Sequence, residues 1–248
     1  MVSPPVALHN LTVSYRQHPA LHHVHGNFAA GSLTAVIGPN GSGKSTLLKS
    51  IAALLPTAPG QLLVATPRAR IAYLPQLAEL DRGFPIDVRD CVLLGCWAAT
   101  AAWGAVTPAM LVQVEAALQA VGLQGFERRP VGGLSSGQLQ RVLFARLLVQ
   151  DADLILLDEP FNAMDSKTIA ALLTLVRTWH QQQRTVIAVL HDDTQVREHF
   201  PQTLLLAREV VAWGPTAEVL TGGNLTRARA MAEAWEDQAA WCHVDASV

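Results

Sequence analysis

The chain of 248 residues has few charged side chains and no excess of either sign. Charged residues make up 15% of the sequence, with 18 lysines and arginines against 20 aspartates and glutamates. This balance argues against a polybasic nucleic-acid-binding protein, which would cluster an excess of basic side chains. Low charge combined with 50% hydrophobic content also excludes a disordered chain. The length predicts one large domain, or a domain with an embedded subdomain.

Cysteine is scarce as well, and its spacing excludes two further classes of protein. The three cysteines are Cys91, Cys96 and Cys242, and no two of them form a CxxC pair. The sequence therefore has neither a disulfide framework nor a zinc ribbon. We interpret the cysteines as reduced thiols of a cytoplasmic protein.

Two segments of the sequence bear on whether the protein is secreted or inserted in a membrane. The first ten residues, MVSPPVALHN, lack a basic stretch followed by an apolar run, so we expect no secretory signal peptide. Residues 91–114 carry no charge and are long enough to span a bilayer. They also contain glycines, polar residues and Pro108, which is typical of a new helix start. We therefore favour an apolar surface patch over a transmembrane helix.

Strands and helices alternate on both sides of a long helical stretch. Short apolar runs predict strands at 6–15, 32–38, 69–76, 152–160 and 184–190, and residues 202–214 predict a closing hairpin. Residues 38–55 predict a glycine-rich turn that runs into an apolar helix, and helical patterns follow at 87–97, 108–122, 136–150 and 166–183. Residues 224–241 predict a terminal helix. This order predicts an α/β core with an inserted α-helical subdomain.

A glycine-rich segment between a predicted strand and a predicted helix carries the clearest chemistry. It fits the phosphate-binding pattern GxxxxGK[ST], in which glycines let the backbone amides curl around an anion. Lys44 is expected to reach the terminal phosphates, and the Ser45 hydroxyl to bind Mg²⁺. The nucleotide-binding residues of this segment are Gly38, Pro39, Asn40, Gly41, Ser42, Gly43, Lys44, Ser45 and Thr46.

A second segment supplies the carboxylates that phosphate chemistry needs. Four apolar residues, 154–157, end in Asp158 and Glu159. At the carboxyl end of a buried strand, Asp158 is expected to hold Mg²⁺ through water. Glu159 is expected to polarise the attacking water.

Together with five further features, these segments resemble the ATP-binding subunit of an ABC transporter over nearly the whole chain. The resemblance assigns Gln76 to the Q-loop, Asp165 to the D-loop 161–165, His191 to the switch position, and Tyr15 to adenine stacking. Residues similar to the family signature LSGGQ are Leu134, Ser135, Ser136, Gly137 and Gln138. In the family this signature contacts the ATP of a partner subunit.

The resemblance implies both a fold and an assembly. The fold is a P-loop NTPase core, that is, a RecA-like mixed sheet with an N-terminal antiparallel β-subdomain, plus a helical subdomain. Residues 1–86 and 151–222 are expected to form the core, residues 87–150 the helical subdomain, and residues 223–248 a C-terminal tail. The implied assembly is a head-to-tail dimer that sandwiches two ATP molecules. The implied catalytic residues are Glu159, His191 and Gln76, and Ser45, Gln76 and Asp158 are the implied Mg²⁺ ligands.

The sequence departs from the family pattern at two motifs. Ser136 replaces the first signature glycine, and a serine lacks the freedom of glycine at positive φ. We therefore expect backbone strain at Ser136, with an effect on dimer tightness and hydrolysis rate. The D-loop reads FNAMD instead of the commoner SALD type.

Within the ABC transporter family, three short stretches of this sequence most resemble the ATPases of manganese and zinc uptake systems. The resemblance lies in residues 78–95, 158–168 and 190–206. This resemblance implies two direct protein partners, a transmembrane permease and a second copy of the chain. It also implies an extracytoplasmic metal-binding protein, and a location on the cytoplasmic face of the membrane. Importers of siderophores, haem or cobalamin are the alternative, followed by an ABC-type ATPase of translation or DNA repair. The neutral charge and the single phosphate loop argue against the last class, and no nucleic acid partner is expected.

The sequence has two further features that we expect at the protein surface. The uncharged stretch beginning at Cys91 predicts an interface with a permease helix, in which Trp97 makes an apolar contact unless it packs inside the helical subdomain. Four histidines, His18, His22, His23 and His25, suggest a metal site, but no acidic residue or cysteine accompanies them nearby in the sequence. We interpret them as the solvated edge of a β-hairpin.

Overall fold

A computed structural model describes residues 5–15, 18–79, 81–97, 105–162 and 164–237. The chain divides into two compact units, the first made of Met1–Ala65 and Ile187–Val248 and the second of Thr66–Val186. Trp103, Ala163 and Cys242 lie outside the described residues, as does the predicted tail beyond residue 237.

The elements follow one another with strands predominating at the start. The strands are β1 (Val6–Tyr15), β2 (His18–Phe28), β3 (Leu33–Ile37), β4 (Leu62–Val64), β5 (Ile71–Leu74), β6 (Leu154–Asp158), β7 (Thr185–Val189), β8 (Gln202–Ala207) and β9 (Glu209–Pro215). The helices are α1 (Lys44–Ile51), α2 (Val88–Leu93), α3 (Pro108–Ala120), α4 (Ser136–Gln150), α5 (Ser166–Gln181), α6 (Asp193–His199), α7 (Thr216–Val219) and α8 (Gly222–Asp237). Short 3₁₀ turns cover residues 68–70, 77–79, 94–96 and 131–133.

The first unit contains an antiparallel sheet in the order β2-β1-β4. Buried residues of β1, among them Val6, Leu8, Leu11 and Val13, face its core. Strand β3, buried throughout, pairs in parallel with β8, and β8 pairs in antiparallel with β9. This antiparallel sheet and the β8–β9 hairpin confirm two predicted features of the fold.

The second unit joins a parallel strand pair, β5 and β6, to helices α2, α3, α4 and α5. Polar side chains begin these helices: Asp87 accepts from the Asp90 amide, Thr107 from the Met110 amide, and Asp165 from the Thr168 amide. Each cap satisfies an amide that would otherwise have no partner in the first turn. Helices α2, α3 and α4 confirm part of the helical stretch predicted from the sequence. Residues 121–135, between α3 and α4, run mainly as turns instead.

The apolar segment 91–114 does not form one long helix. Helix α2 ends at Leu93 and gives way to a 3₁₀ turn, and α3 begins at Pro108. Within the described ranges, no helix combines the length and the apolar character needed to cross a bilayer.

Candidate active site

The glycine-rich loop forms a tight turn between β3 and α1 in the first unit. Gly38 has φ of 151°, and a Cβ at this position would lie 1.9 Å from the carbonyl oxygen of Leu206. Gly43, which directly precedes α1, has φ of 93°, and its Cβ would lie 2.2 Å from the carbonyl oxygen of Ala20. Neither position has room for a side chain, so glycine is required by close packing as well as by backbone conformation.

Lys44 is buried with its ammonium group turned into this loop. Its Nζ donates hydrogen bonds to the carbonyl oxygens of Gly38, at 2.9 Å, and Pro39, at 2.8 Å. It also lies 3.4 Å from Ser42 Oγ, and the residue is 6% exposed. Ser45 and Thr46 follow in the first turn of α1. A positive charge, a helix N-terminus and two hydroxyl groups thus lie together, which suits the binding of a phosphate chain.

The turn between β8 and β9 is hydrogen-bonded to the phosphate loop through Arg208. The Arg208 amide donates to the carbonyl oxygen of Ser42 at 2.9 Å, and the Arg208 carbonyl accepts from the His22 amide at 2.8 Å. The Arg208 guanidinium donates to the Pro19 carbonyl at 3.1 Å. Arg208 itself has a positive φ of 62°. No short motif marks this residue, so sequence analysis missed it.

The structure brings His191 to the phosphate loop. His191, Gly38 and Pro39 line one cavity of about 230 Å³ together with residues of α8. Asp192, the next residue, caps α6 by accepting from the Thr194 amide at 2.8 Å, which fixes the chain after β7. Tyr15 is the last residue of β1 and is 47% exposed, so its ring is accessible for stacking.

In the second unit, the structure brings Gln76 and Glu159 together. Gln76 Nε2 donates to Glu159 Oε1 at 2.7 Å, and Asn162 Nδ2 donates to Glu159 Oε2 at 2.5 Å. Glu159 has a φ of 51°, a backbone conformation that is uncommon for non-glycine residues. Both carboxylate oxygens are therefore held in place. Asn162 was not singled out from the sequence, where it appears only as a D-loop residue.

Asp158 lies fully buried at the carboxyl end of β6, next to Glu159. The hydroxyl of Tyr73, from the neighbouring strand β5, is placed to donate to its Oδ2 over 3.4 Å. A buried carboxylate needs such a partner, because burial without one is costly. Asp158 thus occupies the strand end that its sequence position predicted.

The signature residues form the start of α4. Ser135 caps the helix by accepting from the Gln138 amide, and the Gln138 side chain accepts in return from the Ser135 amide. Together with Gly137, Asp165 and other polar residues they line a pocket of about 290 Å³. Asp165 accepts from the amide and the hydroxyl of Thr168, and these hydrogen bonds hold the pKa of its carboxyl below the usual value. Signature and D-loop therefore meet, within the second unit.

The prediction of backbone strain at Ser136 is wrong. Ser136 is the first residue of α4, and it is not among the residues with positive φ in the described ranges. Its hydroxyl accepts a hydrogen bond from Arg82 Nη2 at 2.9 Å. A serine fits here because the position has ordinary helical geometry.

Comparison with known proteins identifies the family. The family model for ABC transporters matches residues 21–162 of this chain. The chain belongs to the ABC transporter family. The zinc transport system ATP-binding protein TroB of Treponema pallidum is 41% identical over 230 residues, covering 90% of this chain and 86% of that protein. The manganese transport system ATP-binding protein MntB of Listeria monocytogenes is 39% identical over 222 residues, covering 86% and 91%.

A solved structure supports the fold of this ABC transporter ATPase. The ATP-binding cassette MJ0796, in a dimeric post-hydrolysis state bound to ADP and Pi, superposes with a TM-score of 0.76. It is 26% identical and covers 85% of this chain and 98% of its own. The expected cassette fold, with a mixed sheet, an N-terminal antiparallel subdomain and added helices, is thereby confirmed.

Two of the four clustered histidines of this ABC transporter ATPase, His22 and His23, have partners that the sequence did not reveal. Strand β9 brings Glu209 to His22, with 2.7 Å between Oε1 and Nδ1, and Asn10 Oδ1 lies 2.6 Å from His23 Nδ1. The His22 ring also contacts Trp235 of α8, with ring centres 5.1 Å apart. Among the described residues, no group of three or more side chains is arranged to hold a metal ion.

Proposed function

We propose that this ABC ATPase uses ATP and Mg²⁺ to drive import of a divalent metal ion, zinc or manganese, through a transmembrane permease. The observation that carries the catalytic part is the carboxylate of Glu159, held on one oxygen by Gln76 and on the other by Asn162. The metal is supported by relatives at 39–41% identity whose names include manganese and zinc transport.

The phosphate loop would bind the triphosphate in the first unit. Lys44 would exchange its bonds to the Gly38 and Pro39 carbonyls for the terminal phosphates, which carry a full negative charge. The amides of residues 38–46 would donate to the phosphate oxygens. Tyr15 would stack on adenine, as its exposed ring permits.

The residues proposed as Mg²⁺ ligands fit that ion. Ser45 offers a hydroxyl, Gln76 an amide oxygen and Asp158 a carboxylate acting through water, and Mg²⁺ prefers such oxygen donors. When bound, Mg²⁺ would neutralise developing charge on the phosphate oxygens. The hydrogen bond from the Tyr73 hydroxyl would hold the Asp158 carboxylate in position among these ligands.

Glu159 would orient the water that attacks the γ-phosphate. The hydrogen bonds from Gln76 and Asn162 support this role, because they leave the carboxylate little freedom to turn away. His191, beside Gly38 and Pro39, would contact the γ-phosphate as the switch residue.

A second copy of the chain would complete each ATP site. The pocket at residues 135–138 has a mainly polar lining and lies at the N-terminus of α4, where amides and helix dipole favour an anion. It would receive the ATP bound by the partner, and Asp165 would lie beside it. The dimeric state of the MJ0796 cassette supports this arrangement.

Exposed apolar side chains of the second unit support a permease contact on the cytoplasmic face of the membrane. Phe84, Leu94 and Trp97 are all exposed, and Trp97 is exposed over 63% of its surface. An exposed apolar patch typically marks an interface, and we propose that these three side chains form one. Through the permease, an extracytoplasmic metal-binding protein would supply the metal.

Reconstitution of the ATPase with its permease tests this function. Proteoliposomes containing the complex and ATP would be offered zinc, manganese, a ferric siderophore, haem or cobalamin, and uptake measured by mass spectrometry. We expect ATP-dependent accumulation of zinc or manganese. The same complex carrying Glu159→Gln is the matched control and should accumulate none. Uptake of a siderophore, haem or cobalamin instead would replace the metal assignment and leave the ATPase assignment intact.

A further inference from the structure

Gln140, in the second turn of α4, is a buried polar residue outside the proposed site. It is 1% exposed, and its Nε2 donates to the carbonyl oxygen of Pro160 at 3.0 Å. Its Oε1 has no hydrogen-bond partner within the part of the chain that the structure describes. Because the carbonyl of Pro160 can only accept, this contact also fixes which end of the amide faces it.

Pro160 directly follows the proposed catalytic carboxylate. Glu159 has a φ of 51°, and a non-glycine residue keeps such a conformation only where its surroundings hold it. The bond from Gln140 anchors the backbone one residue beyond this unusual turn. It therefore limits how far the Glu159 carboxylate can move from Gln76 and Asn162.

A second contact from the same face of α4 holds the same segment. Phe144 lies one helical turn after Gln140 and is fully buried. Its ring stacks near that of Phe161, with centres 6.4 Å apart and planes 16° apart. Residues four apart share one face of a helix. From this face of α4, Gln140 and Phe144 contact two consecutive residues, Pro160 and Phe161.

We infer that Gln140 is a positioning residue for hydrolysis, acting through Pro160 to hold Glu159 where it can orient the attacking water. The inference rests on the proposed function of Glu159. Gln140 touches neither nucleotide nor water in this role. Since α4 begins at the signature, the same helix would also link the partner-facing pocket to the catalytic carboxylate.

Two substitutions on one helix provide the test. Gln140→Met keeps the size of the side chain and removes the donor to Pro160. Gln150→Met is the matched control, because Gln150 Nε2 makes the same kind of bond, to the Ile71 carbonyl at 2.8 Å, at the other end of α4. For Gln140→Met we expect kcat of the ATPase to fall about tenfold, with KM and the Kd for ATP unchanged. For Gln150→Met we expect kcat to stay within about twofold of wild type.

Trapping with vanadate separates positioning from general loosening of the fold. Vanadate with ADP imitates the transition state, in which the attacking water must be oriented. Gln140→Met should trap less nucleotide with vanadate while binding ATP normally, and Gln150→Met should trap as wild type does. Equal losses of kcat in the two variants, or a Gln140→Met variant within twofold of wild type, would overturn the inference.

Gln140→Glu decides the question if Gln140→Met does not fold. Its carboxyl, when protonated, can still donate to the Pro160 carbonyl, whereas the charged form cannot. Burial raises the pKa of such a carboxyl, so we expect kcat relative to wild type to fall as pH rises through it. A ratio independent of pH contradicts the inference. Glu159→Gln, measured alongside, tests the proposed function by itself: if that variant hydrolyses ATP normally, the proposed role of Glu159 is wrong.

Discussion

Arg82 donates a hydrogen bond to the hydroxyl of Ser136 over 2.9 Å, and so connects the segment after the Q-loop to the signature. The 3₁₀ turn just before the signature also lies close to this segment, because a Cβ on Gly132 would lie 2.7 Å from the Arg82 carbonyl oxygen. The serine at the departure from the family signature thus has a partner within its own chain.

Restoring the family glycine by Ser136→Gly should therefore lower the ATPase rate. Glycine removes the bond to Arg82 and weakens the first turn of α4, effects that together contribute about 1 kcal/mol. We expect a fall of about two- to fivefold in steady-state phosphate release. Arg82→Gln measured alone and in combination gives the coupling between the two residues. A faster Ser136→Gly enzyme would show that the serine hydroxyl has no use here.

Lys44→Ala should remove most nucleotide binding. The ammonium group is the cation that the loop carries at its centre, and a charged hydrogen bond to phosphate contributes about 1.5–3 kcal/mol. We expect affinity for a fluorescent ATP analogue to fall by at least about tenfold. Lys49→Ala, at the other end of α1, serves as the control and should bind normally. Unchanged binding by the Lys44 variant would mean that the loop is not the nucleotide site.

Glu159→Gln should bind ATP and keep it. The amide preserves the shape of the carboxylate and can still accept from Gln76, but it lacks the charge that orients water. With ATP and magnesium, size-exclusion chromatography should show a stable dimer that wild type forms only briefly. A variant that remains monomeric under these conditions, or hydrolyses ATP at the wild-type rate, would contradict the proposal.

Trp97→Ala should uncouple the subunit from its permease without unfolding it. Trp97 is 63% exposed, so its removal creates no internal cavity. We expect the purified subunit to keep its melting temperature and basal ATPase activity but to fail in co-purification with the permease. Trp179→Ala is the contrasting control, since Trp179 is 3% exposed and stacks on Phe144, and its loss should cost about 3–5 kcal/mol of stability. Normal co-purification of the Trp97 variant would remove this residue from the interface.

The ion pair between Arg70 and Asp153 should make stability depend on acid pH. Two hydrogen bonds, of 2.8 and 2.6 Å, join the guanidinium to the carboxylate and lower the pKa of Asp153 from its usual 3.8. This contribution is present above pH 3.8 and is lost as pH falls through the lowered pKa. Because both side chains are largely exposed, Arg70→Met should cost at most about 1 kcal/mol at pH 7. Urea unfolding should show the difference shrinking towards pH 3, and a constant difference would rule out the ion pair as its source.

Local signals in the sequence predicted much of this fold. The start of α4 follows from Ser135 and Gln138, which form a capping box, and the glycine loop follows from its spacing. Contacts between distant residues gave no such signal. Gln76 and Glu159 are 83 positions apart, and their bond could be expected only from the family resemblance. The Gln140–Pro160 and Arg208–Ser42 bonds depend on tertiary packing and follow no local pattern. Ser136 was assigned strain because its backbone conformation cannot be read from its identity.

The support of the phosphate loop by Arg208 has a kinetic consequence. The carbonyl of Leu206 packs against Gly38 and the amide of Arg208 holds Ser42, so contacts within the chain stabilise the curled form of the loop. A preorganised loop loses little conformational entropy on binding. We therefore expect nucleotide to associate in a single fast step whose rate depends on concentration and ionic strength, with no slow phase of loop closure.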